Sequence, residues 1–235
     1  MKRTFFIATI FAMLLLSACV SIDRHNFGRF FFFFIIDDGK AVIINGYSGR
    51  GTDVRIPARI LMLPVTKIAD DVFAGRGLTS VSFPDSVTHI GYGAFAGNPL
   101  TEVIIGKGVT HIEKNAFFAT QLRAVTIPEG VTHIGGDAFA SLRLTDLVIP
   151  ASLTHIGYGV FRNNHLTKIV LPEGVTSILD GAFAGNLLAD VSIPNSVTHI
   201  GARAFEGNRL TEVSVPGHAE VHPDAFDPEV TITRR

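Results

Sequence analysis

Cysteine is nearly absent from this chain: its 235 residues include one, Cys19. A single sulfur excludes an internal disulfide framework and any cysteine-based zinc site, since both need several sulfurs at defined spacing. The fold must stand on packing alone. A surplus of either charge is missing too, with 20 Lys and Arg against 21 Asp and Glu. Without clustered basic residues there is no electrostatic footprint for nucleic acid, so non-specific DNA or RNA binding is not expected. The sequence also lacks a Gly-x-Ser-x-Gly elbow and the phosphate-binding glycine loops, which removes two common routes to catalysis. What is present is 47% hydrophobic residues, enough to exclude a disordered chain.

The amino terminus reads as an address. Met1-Lys2-Arg3 precedes an apolar run from Phe5 to Leu16, then Leu16-Ser17-Ala18-Cys19. This is the charged, apolar and small-residue order of an export signal. The apolar run is 12 residues long, whereas a membrane-spanning helix takes about 20. Leu-Ser-Ala-Cys resembles the bacterial lipobox, which implies that Cys19 is acylated and becomes the first residue of the mature protein. A plain secretory signal or a short buried helix are the alternatives. Several acyl chains, at about 0.8 kcal/mol per buried CH₂, would make a stable anchor. Loss of Lys2 and Arg3 leaves 18 basic against 21 acidic residues, a net charge of −3.

Aromatic residues set the architecture. Phe73, Phe95, Phe117, Phe139, Phe161, Phe183, Phe205 and Phe226 are separated by 22 residues six times and then by 21. Around them recur Ile90-Gly91-Tyr92-Gly93-Ala94-Phe95 and its copies. Between them recur Leu100-Thr101-Glu102-Val103-Ile104-Ile105 and its copies, usually followed by proline. A unit this short cannot bury its own apolar side chains, so units must stack and share one core. Leu, Val and Ile at offsets 0, 3 and 5 fit the inward positions of one strand per coil, with strands about 4.8 Å apart in a parallel sheet. Proline after the strand ends the pairing; Gly106 takes that slot once. Asn98, Asn164, Asn186 and Asn208 share one turn position, where the amide can satisfy buried backbone groups; Thr120 and Leu142 depart from it.

This repeat resembles the BspA-like, or treponemal-type, leucine-rich repeat, L-T-x-V-x-I-P-x-x-V-T-x-I-G-x-x-A-F. The resemblance implies a β-rich solenoid with one parallel sheet on its concave face. The expected organisation is a signal peptide over 1–18, a tether over 19–29, an N-terminal β cap over 30–55, repeats over 56–226 and a tail over 227–235. Within the cap, Ile35 to Ile44 reads as a hairpin around Asp38-Gly39. The run Phe30 to Phe34 reads as cap-strand core, with an exposed sticky edge or a membrane-proximal contact as alternatives. In the tail, Val230 to Thr233 reads as a final strand and Arg234-Arg235 as charges that discourage edge pairing.

His89, His111, His133, His155 and His199 occupy one repeat position, with Ser177 interrupting. Rings one coil apart would lie about 5 Å from each other. A metal needs donors converging at about 2 Å with a third and fourth ligand, and no such donors stand nearby in the pattern. The column therefore reads as a solvated polar ladder, with metal binding by His89, His111, His133 and His155 or pH sensing as weaker alternatives. No cofactor is expected. Catalytic sites break repeat symmetry, because unlike residues must converge on one point, and the histidines and acids here keep it. An enzyme is not expected.

A stacked solenoid does supply a long rigid face. By the alternation of strands, offsets 2 and 4 point out of the core. Offset 2 carries Glu102, Asp146, Lys168 and Asp190, and offset 4 carries Ile104, Thr126, Val148 and Val170. An acidic row thus runs beside an apolar one, a pattern that marks interaction sites; the alternative is simple strand preference of β-branched residues. The resemblance implies a non-catalytic adhesin, lipid-anchored at the outer membrane or cell surface, that binds host extracellular-matrix or plasma proteins. An envelope scaffold that binds bacterial proteins or itself, and a carrier of a small apolar ligand, are the alternatives. Membrane contact is expected through the lipid alone, and a homo-oligomer is a further expectation.

Overall fold

The computed structural model describes residues 30–235; the signal segment, Cys19 and the tether lie outside the described residues. Each coil contributes a three- or four-residue front strand and a two-residue return strand joined by tight turns. The described residues open with β1 (Phe30–Ile36) and β2 (Ala41–Ser48), an antiparallel hairpin closed over Asp37–Gly39. β3 (Asp53–Arg55) is the first front strand, β4 (Arg59–Ile60) is a short addition, and β5 (Leu63–Ile68) is the first return strand. β2 pairs parallel with β5, so the cap hairpin extends the return sheet.

Front strands follow at Ser80–Ser82, Glu102–Ile104, Ala124–Thr126, Asp146–Val148, Lys168–Val170, Asp190–Ser192, Glu212–Val215 and Thr231–Arg234. They stack in register, residue on residue, one coil apart. The ladder is not one continuous sheet: it forms four short parallel runs of three, two, two and two strands. A three-residue strand contributes few slanted bonds per step, so little holds the ladder continuous beyond the side-chain stacking of the core. The return sheet is interrupted once, between His133–Ile134 and His155–Ile156.

The core is a spine of aromatic rings. From Phe73 to Phe226 the eight phenylalanines stack at 4.9–5.9 Å with planes within 17° of parallel, inside the favourable range for ring pairs. Tyr47 continues the stack from Phe73 at 5.0 Å, and Phe31 follows at 5.4 Å, so the cap seals the open end of the spine. The phenylalanine run of β1 divides by alternation: Phe31 and Phe33 are buried, whereas Phe30 and Phe34 are exposed. Cap core and exposed edge are thus opposite faces of one strand.

Turns at both ends of the Ala-Phe segment use left-handed backbone. Asp71, Gly93, Asn115, Asp137, Gly159, Gly181 and Arg203, each two residues before the spine phenylalanine, all have positive φ. So do Gly75, Gly97, Ala119, Ser141, Asn163, Gly185 and Gly207, two residues after it. Glycine, asparagine and aspartate tolerate this region and other residues resist it, which explains why those types recur at both slots.

The asparagine position closes the turns from inside. Asn186 donates to the Phe161 and Phe183 carbonyls at 3.0 and 2.9 Å and accepts the Leu166 N–H at 3.2 Å. Asn98, Asn164 and Asn208 repeat the arrangement. Thr120 is buried there with a hydroxyl that has no partner, and Leu142 is buried without a polar group to offer.

At the carboxyl end the segment Thr231–Arg234 is a paired front strand, against Glu212–Val215. The two arginines are also engaged: Arg235 donates to the Ser214 carbonyl at 2.8 Å and to that of Ile193. Arg234 donates to Gly217 and Ala219 at 3.1 and 2.9 Å. Both side chains thus hydrogen-bond backbone carbonyls of the chain that precedes them.

Candidate protein-binding face

The front strands place their middle residue in the core and the flanking residues outward. Ile104, Val148 and Val170 are 57%, 68% and 74% exposed. Thr126, also exposed, lies beside Val148 in register. Glu102, Asp146, Lys168 and Asp190 are exposed in the neighbouring row, with Lys168 directly opposite Asp190. The face is therefore an apolar strip edged by carboxylates, with one cation in its middle.

Two residues of this face stand outside the sequence expectation. β3 puts Asp53 beside Ser80 in the acidic row and Arg55 beside Ser82 in the apolar row. Val54-Arg55-Ile56-Pro57 is the signal that carries them, and Gly51 at the leucine position obscures it. The strip is bounded at each end by a shallow depression. One of about 410 Å³ is lined by Asp53, Arg55, Ser80, Ser82, Glu102 and Ile104. The other, about 450 Å³, is lined by Asp190, Ser192, Glu212, Ser214, Thr233 and Arg235.

The histidine column lies on the return side. His89 and His111 stack at 4.5 Å with planes 10° apart, and His111 and His133 follow at 5.7 Å with a 35° tilt. The Thr88 hydroxyl lies 3.0 Å from the Thr66 carbonyl and 2.8 Å from His89 Nδ1, so when it donates to the carbonyl it accepts from the ring; Thr110 is placed alike beside His111. In that arrangement the proton of the neutral ring sits on Nδ1 and Nε2 carries the lone pair. Near-parallel rings aim those lone pairs side by side instead of at one point, which does not suit a metal. Among the described residues no group of three or more His, Cys, Asp or Glu converges as a metal site would require. His155 and His199 sit on either side of Ser177 in register.

Burial first, then the charges of His111 and Lys67, hold the His89 imidazole below its ordinary value, with Glu113 acting in the opposite sense. His133 lies 4.0 Å from Glu113, and His199 lies 3.8 Å from Glu220. No helix among the described residues is long and apolar enough to cross a membrane.

A stack of front strands with an outward-facing strip defines a leucine-rich repeat solenoid, a scaffold for protein interaction. The model of the BspA type leucine-rich repeat region matches six copies over residues 53–167 and 155–231. The chain belongs to that family. It is similar to the leucine-rich repeat protein of T. pallidum, with 32% identity and a TM-score of 0.68 over 77% of this chain and 87% of that one. It shares its fold with a leucine-rich repeat protein from Bacteroides ovatus, with 22% identity and a TM-score of 0.56 over 87% of this chain and 66% of that one. No curated protein matches the chain.

Proposed function

We propose that the protein is a lipid-anchored adhesin of the bacterial cell envelope that grips a host extracellular-matrix or plasma protein with its front face. The observation that carries this reading is the solvent exposure of Ile104, Val148 and Val170 on a rigid stack. Apolar strips of this kind, rimmed by charge, are the usual cores of protein interfaces. The acidic row would select partners that present basic residues beside an apolar ridge. Cys19, acylated, would hold the solenoid at the membrane. Both end depressions are shallow and carry charged and hydroxyl side chains beside their apolar ones, which argues against a purely apolar small-molecule cargo. The test is twofold. Saturable binding of the mature chain to immobilised fibronectin, fibrinogen or laminin is expected, as is loss of the protein from intact cells treated with protease. A chain that survives protease on intact cells and binds none of these would instead be an envelope scaffold.

A further inference from the structure

The first coil differs from its successors by an insertion. Seven residues separate Pro57 from Val65, whereas two separate Pro84 from Val87. The extra residues fold into a small hairpin of β4 and the start of β5, with Arg59 opposite Pro64 and Ile60 opposite Leu63. Its two-residue loop is Leu61-Met62, and both residues have positive φ, 50° and 66°. Positive φ at both central positions is the type I′ condition, which Asn-Gly meets without strain and bulky side chains resist. Leu61 and Met62 are nonetheless there, 59% and 81% exposed. Buried Ile60 pins the base of the hairpin, and Arg59 donates to the Met62 carbonyl at 2.7 Å, so the tip is held out. Neither backbone preference nor core packing selects Leu-Met at this loop, and a strained exposed site of this kind points to a function.

The surroundings identify an occupant. The same end of the solenoid carries exposed Phe30 and Phe34 on β1, the outermost strand of its sheet. Charge is divided along the chain as well. Residues 30–68 hold five basic residues, Lys40, Arg50, Arg55, Arg59 and Lys67, against three acidic ones. Residues 69–235 hold eleven basic against seventeen acidic. An apolar tip with Arg59 at its base, in a cap segment of net positive charge, is the chemistry of an anionic lipid surface, where the tip enters the acyl boundary and the cation meets headgroups. The acidic remainder would be repelled by the same surface.

The geometry points to the Leu61-Met62 hairpin tip as a second membrane contact, inserted into an anionic lipid surface so that the solenoid stands off the membrane by its amino-terminal end. The inference rests on the lipid-anchor reading for its proximity. Cys19 and Phe30 are eleven residue steps apart, which spans at most about 40 Å when extended.

The chain contains no tryptophan, so Met62→Trp places a single reporter at the tip, and Tyr158→Trp, at an exposed turn of a middle coil, serves as control. The mature acylated chain is reconstituted in vesicles of phosphatidylglycerol and phosphatidylcholine, with and without brominated acyl chains. The expected result is a blue-shifted emission from the Met62→Trp chain that brominated lipid quenches, with the emission of the Tyr158→Trp control unchanged. A Met62→Trp chain that floats with the vesicles while its indole stays in water overturns the proposal and leaves the lipid anchor standing. Equal quenching in pure phosphatidylcholine overturns the role of the basic residues. A blue shift that appears without vesicles and grows with protein concentration makes the tip a self-association surface instead. An unacylated Cys19 in the mass spectrum overturns the anchor reading, and vesicles added to that chain still decide the tip. The double substitution Leu61→Asn, Met62→Gly supplies the second arm in a mature Cys19→Ser chain. It relieves the backbone strain, so the melting temperature should hold or rise, while affinity for anionic vesicles should fall by about tenfold or more. Unchanged affinity overturns the proposal.

Discussion

The asparagine position offers a test that runs in both directions. In Asn186→Ala the Leu166 N–H loses its acceptor, while the Phe161 and Phe183 carbonyls each lose one of two amide donors and keep the other, from Asn164 and Asn208. A buried polar group left unmade costs about 1–3 kcal/mol, with carbonyls at the lower end because another lone pair can be served. The expected loss is about 2 kcal/mol, a fall in melting temperature of roughly 4–8 °C for a domain of this size. The reverse change is Thr120→Asn. By the repeat, an amide there would reach the Leu100 N–H and the Phe95 and Phe117 carbonyls, in place of a hydroxyl that has no partner. The expected gain is about 1–2 kcal/mol, or roughly 2–8 °C. Thermal unfolding followed by circular dichroism reads both. A Thr120→Asn protein that melts at or below the parent temperature, or an Asn186→Ala protein that loses under about 1 kcal/mol, would refute the view that this ladder holds the turns together.

Other outcomes follow from the same structure. Gly97 has φ of 66° and open space where a Cβ would stand, so Gly97→Ala isolates the backbone cost; Ala119→Gly relieves that cost one coil on. Expected changes are about 1 kcal/mol down and about 1 kcal/mol up, read from denaturant midpoints. His89 is held below its ordinary value in the fold, so the unfolded chain binds the proton first and stability falls as pH drops through and below about 6.5. His89→Ser, which copies Ser177, should flatten that slope; parallel melting curves for both proteins between pH 8 and 5 would dismiss the ladder as a source of pH dependence.

The period was legible because eight phenylalanines mark it without a gap, and the outward rows followed from alternation once the strand was placed. Ile104, Val148 and Val170 stand exposed where offset 4 puts them. The inserted hairpin was not legible. Its five extra residues break the period, and Leu-Met carries no turn signal, since the coil imposes a backbone its own loop residues disfavour. The same override sets Ala119, Ser141 and Arg203 in left-handed conformation: neighbouring coils dictate the turn and the local residue complies. Interruptions of the two ladders also leave no mark in the side-chain pattern. The contacts of Arg235 were not legible either, because a sequence shows the ion and not the carbonyls of Ile193 and Ser214 that accept from it.

The measurement that bears most directly on the front face is a comparison of ligand binding by the parent chain and by a variant carrying Ile104→Glu, Val148→Glu and Val170→Glu. All three side chains are exposed, so the variant should keep the parent melting temperature within a few degrees. Saturable binding to an immobilised matrix protein by the parent, lost in a variant that still folds, is the predicted result. Equal binding by both would contradict the assignment of the front face.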